Sequence, residues 1–297
     1  MPTLKDVELK IAAVKKTKQI TKAMNMVATS RLRGAQGSME SFRPYAAKFA
    51  EVLGSISGKA GEHTNPLLVP REDVKRIHIV LCTSDRGLCG GFNTNLIHKT
   101  SNFIKTRTRD DVELSFTNFG KKGRDWCRKQ RYEIAAEHLG VVGSHFNFSL
   151  AATSGRALVD QFLNESYDEV YMIFAHFQSM ARQEPTIIQL LPIPAMEPTD
   201  KVDSSEPNTY MAEHICEPNP QELLNEMLPR NIGVQIFNAL LETSTSEHAA
   251  RMLAMDNATK ACNDMIDSLT LAYNKARQAA ITAELMDIVG GAEALKG

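Results

Sequence analysis

VQIFNALLETSTSEHAARMLAMDNATKACNDMIDSLTLAYNKARQAAITAELMDIV, residues 234–289, contains neither glycine nor proline. As a single helix this stretch of roughly 55 residues runs on the order of 80 Å at 1.5 Å per residue. Globular helices usually span about 8 to 20 residues, so the length predicts a coiled coil or a rod. Stepping by three and four from Met255 gives Ala258, Cys262, Met265, Leu269, Ala272, Ala276, Ala279, Ala283 and Met286, all apolar and mostly small. A seam of this kind lets two helix backbones approach closely. Pro229 and Gly233, just upstream, mark where the helix is expected to bend. Past Ala276, Ile281, Leu285, Met286, Ile288 and Val289 wrap more than one face, and one partner helix cannot bury them all. They require either a surrounding sheath or packing against another part of the chain.

The amino-terminal segment carries a matching pattern. Leu4, Val7, Ile11, Val14, Lys18, Thr21, Asn25, Ala28, Leu32 and Ala35 recur every three and four residues. No proline falls between Pro2 and Pro44, so one long helix is predicted, with a bend near Pro44. The polar interruption Lys18, Thr21, Asn25 has two readings: register-fixing polarity within a coiled coil, or contact with a partner.

The period changes between the helices. Ile77–Cys82, Val112–Asn118, Glu169–Phe177 and Thr186–Leu191 read as strands. Phe92–Arg107, Gly120–Lys129 and Leu150–Asn164 read as helices. The alternation predicts a Rossmann-like α/β domain with a mainly parallel sheet. Pro198, Pro207, Pro218 and Pro220 make 196–221 a connector. The predicted fold is α/β with long helices: an antiparallel coiled coil of the amino-terminal helix (1–58) and the carboxy-terminal helix (222–290), with the α/β domain (73–195) inserted.

Composition removes several function classes. Thirty-four Lys and Arg against 35 Asp and Glu give a net charge of −1, leaving no global field to gather nucleic acid or anionic lipid. The five cysteines, Cys82, Cys89, Cys127, Cys216 and Cys262, form no CxxC pair, and the eight histidines are scattered. Neither a disulfide framework nor a zinc cluster is expected. No run approaches the ~20 apolar residues of a membrane span, and the start lacks a signal-peptide core.

Several blocks carry a resemblance. KKTKQITKAMNMVATSRLRGAQ (15–36), RPYAAKF (43–49), SDRGLCGGFN (84–93), PTIIQLLPIP (185–194), SEHAARMLAMDNAT (246–259) and YNKARQAAITAELMDIVGGAEAL (273–295) lie in order across nearly the whole chain. Together they resemble the gamma-subunit family of F-type ATP synthases. The resemblance implies a central rotary shaft without a catalytic site or cofactor of its own. Its implied partners are the alpha and beta subunits, the epsilon subunit and the c-subunit ring, with no nucleic acid and with membrane association only through the complex. It further implies contact with the alpha–beta hexamer by Lys22, Met24, Met26, Arg251, Gln278, Thr282, Glu284 and Ile288, and foot contacts with the c ring or epsilon by Arg43 and Tyr210. For Lys18–Asn25 it favours the partner-contact reading. The absence of a regulatory cysteine pair and of a presequence points to a bacterial member on the cytoplasmic face of the membrane.

Two other functions compete with this one. The turn SDRGLCGGFN can hold phosphate at a helix N-terminus, but Gly87, Gly90 and Gly91 match neither GxGxxG nor a P-loop, so a nucleotide-binding enzyme is disfavoured. Ser84, Asp85 and Arg86 are then candidates for a subunit contact. A coiled-coil adaptor with an α/β head is the other alternative; it would self-associate.

Overall fold

The computed structural model describes residues 3–60, 65–107, 112–194 and 219–294. The elements in chain order are α1 (Leu4–Ala60), β1 (Arg76–Cys82), α2 (Phe92–Arg107), β2 (Glu113–Phe119), α3 (Lys121–Gln130), β3 (Glu133–His138), α4 (Phe148–Leu163), β4 (Glu169–Phe177), β5 (Gln183–Leu191) and α5 (Pro220–Ala294). α1 continues through Pro44, and α5 continues through Pro229 and Gly233. Most of the predicted connector, with Tyr210 and Cys216, lies outside the described residues. The chain divides into two compact units, one formed by residues up to Ala28 together with those from Arg251, the other by Thr29–Ala250.

In the 29–250 unit the strands form one sheet in the order β3-β2-β1-β4-β5. β1 pairs in parallel with both β2 and β4, β2 pairs in parallel with β3, and only β5 is antiparallel. β3, EIAAEH, is the strand that the sequence reading missed. Its two carboxylates and paired alanines carry little strand propensity, and docking beside β2 imposes its conformation.

Alternation along the central strands assigns each face. Ile77, Ile79 and Leu81 of β1, with Tyr171 and Ile173 of β4, pack among α2 and α3 residues such as Phe92, Leu96, Ile104 and Cys127. Val80 and Cys82, with Met172 and Phe174, face Leu158 and Phe162 of α4, Leu53 and Ile56 of α1, and Leu228, Ile232, Ile236 and Leu240 of α5. The sheet is therefore covered on both sides, as a parallel sheet requires.

Two glycines make this packing possible. Gly120, at φ 103°, links β2 to α3, and a Cβ there would lie 2.0 Å from the Thr83 carbonyl oxygen. A Cβ on Gly155 of α4 would lie 3.0 Å from the backbone nitrogen of Gly233 on α5. Gly233 thus serves close helix approach.

Two buried polar groups hold the sheet's ends and middle. Asp168, just before β4, accepts hydrogen bonds from Arg71 Nη1 (2.9 Å) and the backbone N–H groups of Lys75 (2.9 Å) and Arg76 (2.8 Å). Burial pushes the Asp168 carboxyl up, but those backbone N–H groups and the flanking arginines outweigh it and hold the group below its ordinary value. His78 on β1 is fully buried, with Nδ1 2.7 Å from Ser115 Oγ and Nε2 2.8 Å from Thr117 Oγ1, and it stacks on Tyr167. Burial lowers its pKa from 6.5 to about 3.

A histidine neutral in the folded state but protonated when unfolded favours unfolding as pH falls from 6.5 toward 3, by up to about 1.4 kcal/mol per pH unit. Urea midpoints of His78→Asn should decline less steeply from pH 6 to pH 4 than those of the parent; an unchanged slope would refute the assignment. Gly155→Leu should destabilise by about 1–3 kcal/mol through overpacking. Gly34→Ala, where a Cβ meets nothing within 4 Å, should instead stabilise by about 0.5–1 kcal/mol. Thermal melts distinguish the two glycines, and equal effects would contradict the packing described.

Candidate functional site: a paired-helix contact surface

In the unit containing residues up to Ala28 and from Arg251, α1 and α5 pair antiparallel. Thr21 Oγ1 lies 2.8 Å from Thr259 Oγ1, and Asn25 Nδ2 donates to the Met252 carbonyl at 2.8 Å. Every position of the α1 seam from Leu4 to Ala28 is buried or half-buried, and apart from Met24 every intervening residue is exposed. The polar interruption at Thr21 and Asn25 thus turns inward and sets register, contrary to the partner-contact preference for those two positions.

The α5 seam differs from the expected one. The covered positions follow Met252, Met255, Thr259, Cys262, Ile266, Leu269, Tyr273, Ala276 and Ala280, with Ala254, Asp256, the expected Ala258 and Asn263 half-buried beside them. Met265, at 54 % exposure, and Ala272, Ala279, Ala283 and Met286 all face outward. At three steps two apolar residues are adjacent in sequence, so spacing alone does not choose between them. Packing covers Ile266 rather than the similarly sized Met265, and Tyr273 rather than the smaller Ala272, where the ring removes more apolar surface from water. Thr259 enters the seam because Thr21 offers it a hydrogen bond. Counting in step from Thr21–Thr259 brings Val14 level with Ile266, Ile11 with Leu269, Val7 with Tyr273 and Leu4 with Ala276.

Between 281 and 292 no residue is covered, and the exposure of Ile288 reaches 67 %. Gln278, Thr282 and Glu284 are exposed on the same stretch. Lys22 is exposed, Met26 is exposed, Met24 is half-buried beside the seam, and Arg251 is half-buried near the Asn25–Met252 bond. Arg43 is exposed on the α1 part of the other unit, and Tyr210 lies outside the described residues. A feature missed from sequence is a second stripe on α1. Leu9, Ala13, Lys16, Ile20, Ala23 and Val27 recur every four and three residues opposite the seam, and all are exposed. The same three–four stepping, started at Leu9, finds it.

The 29–250 unit contains the alternative site, the crevice at the carboxyl edge where the chain leaves β1 and β4 in opposite directions. Open α/β sheets bind ligands at such a switch point. Here α5 fills it with Glu242–His248, ETSTSEH, every residue buried. β4 runs past the last β1 pair, Leu81–Ile173, and α5 hydroxyls complete the unpaired edge. The Ala175 N–H donates to Thr243 Oγ1 (3.4 Å), and Ser246 Oγ donates to the Ala175 carbonyl (3.3 Å). Glu242 binds His176 Nδ1 at 2.5 Å and accepts from Asn238 at 3.1 Å.

The glycine-rich turn is likewise committed to its own fold. Asp85 accepts from the N–H groups of Lys121 and Gly140, both at 3.0 Å, so its own carboxylate caps the start of α3. Ser84 is buried and donates to the Arg86 carbonyl at 2.6 Å. Of the three residues considered for a subunit contact, only Arg86 is fully exposed. Among the described residues no three His, Cys, Asp or Glu side chains form a metal-binding group, and no helix is long and apolar enough to cross a membrane.

Comparison with known proteins gives a consistent result. A family model described as ATP synthase matches residues 3–295. The chain is 67% identical over 298 residues to the ATP synthase gamma chain of Desulfosudis oleivorans, covering 100% of both. It is 52% identical over 297 residues to that of Nitratidesulfovibrio vulgaris, again covering 100% of each. Among solved structures, the rotor of the Euglena gracilis mitochondrial ATP synthase aligns with TM-score 0.62 at 18% identity, over 94% of this chain and 98% of that one. The central stalk and c-ring structure from Tetrahymena thermophila aligns with TM-score 0.57 at 23% identity, over 80% and 99%. On this full-length similarity, the chain belongs to the family of ATP synthase gamma chains.

Proposed function

We propose that the chain is the central rotary shaft of an F-type ATP synthase. In this role it couples ion flow through the membrane sector to cycling of the beta-subunit catalytic sites and has no catalytic site of its own. The observation that carries the reading is the uncovered helix from Ile281 onward, apolar on several faces and exposed on all of them. Such a surface is costly in water and calls for a surrounding sleeve. A ring of alpha and beta subunits supplies one, and the outer α1 stripe Leu9, Ile20 and Val27 extends the same apolar surface.

In this reading Lys22, Met24, Met26 and Arg251 face the moving lobes of the beta subunits. Methionine suits a surface that meets three similar partners in turn, and a guanidinium suits their carboxylates. Ile288 and its apolar neighbours centre the shaft, while Gln278, Thr282 and Glu284 form a polar catch that breaks and re-forms during rotation. Arg43 and Tyr210 belong to the foot, toward the c ring and the epsilon subunit. The complex operates on the cytoplasmic face of a bacterial membrane, and the chain reaches the membrane only through its partners.

Co-expression with alpha and beta subunits from the same source tests the reading directly. A defined complex whose sustained ATP hydrolysis requires this chain is expected; failure to associate, together with a stable soluble dimer, would favour the adaptor alternative. The catch has its own test, the combined variant Gln278→Ala, Thr282→Ala, Glu284→Ala. ATP-driven ion pumping should fall several-fold while the complex still assembles, and unchanged hydrolysis and pumping would dismiss the catch.

A further inference from the structure

A cavity of about 530 Å³ in the 29–250 unit is not used by the shaft reading. Its size falls within the roughly 300–1,000 Å³ of small-molecule sites. One wall is α1, through Arg31 and Gly34; another is the loop between β3 and α4, through Ser144 and Phe146; the third is α5, through Phe237, Ser244 and His248. The aromatic floor is preorganised. Phe237 packs edge-on against Phe42 (4.8 Å), Phe146 (5.6 Å) and Phe148 (5.5 Å) between ring centroids, which fixes its plane without occupying the cavity.

Among the residues lining this cavity, Arg31 alone carries a permanent charge, and it is positive. The nearby carboxylate, Glu247, is buried behind the lining, with Oε2 2.9 Å from His248 Nδ1. Ser244 Oγ accepts from the Gly143 N–H at 3.3 Å, which leaves its own hydrogen to donate. An apolar aromatic floor, one guanidinium and hydroxyl donors suit a flat molecule with an anionic edge. We propose that this cavity binds a small aromatic anion, its ring against Phe146 and Phe237 and its carboxylate, sulfonate or phosphate at Arg31. Since the walls come from α1, α5 and the β3–α4 loop, an occupant would brace all three within this unit.

The test is calorimetric titration of the full chain with naphthalene-2-sulfonate at low ionic strength, alongside Gly34→Phe and Arg31→Gln. A Cβ on Gly34 meets nothing within 4 Å, so Gly34→Phe can project into the cavity without disturbing the helix, and circular dichroism verifies its fold. Saturable one-to-one binding should weaken at least tenfold in each variant. The neutral naphthalene-2-methanol should bind Arg31→Gln as it binds the parent. Sulfonate binding unchanged in Gly34→Phe would place the ligand elsewhere, for instance on the exposed helix end, and overturn the proposal. Absence of saturable binding up to millimolar ligand, or an equal loss of the neutral probe in Arg31→Gln, would also overturn it.

Discussion

The polar turn Glu242–His248 of α5 lies against the sheet where a ligand would otherwise sit, and much of the 29–250 unit is arranged around it. Seven consecutive buried polar residues in a helix are costly unless each finds a partner, about 1–3 kcal/mol for every group left unsatisfied. The overhanging end of β4 supplies an open backbone edge at Ala175, and Thr243 and Ser246 close it. Thr243 and Thr245 also donate back to the Ala239 and Leu241 carbonyls, at 2.7 and 2.9 Å. Helix and sheet therefore meet through directional hydrogen bonds at Ala175 that favour one register.

That register governs the packing on either side. Upstream of the turn, α5 presents Leu228, Ile232, Ile236 and Leu240 to the apolar face of the sheet, and Gly233 lets it approach α4 at Gly155. A one-residue slip along the helix would rotate those side chains by about 100° and strand the hydroxyls of the polar turn against apolar neighbours. The crevice used by nucleotide-binding relatives of this sheet architecture is closed by the same contact. A fold shared with many enzymes is here committed to holding a helix.

The paired-helix unit uses the same device more sparingly. Its seam is mostly apolar, and apolar seams tolerate slippage because neighbouring rungs offer similar burial. Thr21 opposite Thr259 and Asn25 on the Met252 carbonyl supply the directional bonds that exclude other alignments. Among the described residues past Ala280 no such pairing is seen, and 281–292 are exposed on every face. The pair thus combines a hydrogen-bonded register along its length with an uncovered apolar end.

Sequence alone determined that two long terminal helices flank an α/β segment. Glycine and proline punctuation and the change of hydrophobic period are local properties of the chain, and α1, α5, β1, β4 and the α1 seam appear where those properties place them. The apolar wrap of Ile281–Val289 was legible for the same reason. Only the tertiary structure decided which of two adjacent apolar residues enters the α5 seam, since Met265 and Ile266, or Ala272 and Tyr273, satisfy a three–four spacing equally well and differ only in what they pack against. It also decided that EIAAEH is a strand, because pairing with β2 outweighs weak propensity there. The inward turn of Thr21 and Asn25 and the burial of ETSTSEH were hidden as well: a polar side chain's partner lies far away in sequence, and composition reports its polarity but not the bond that satisfies it.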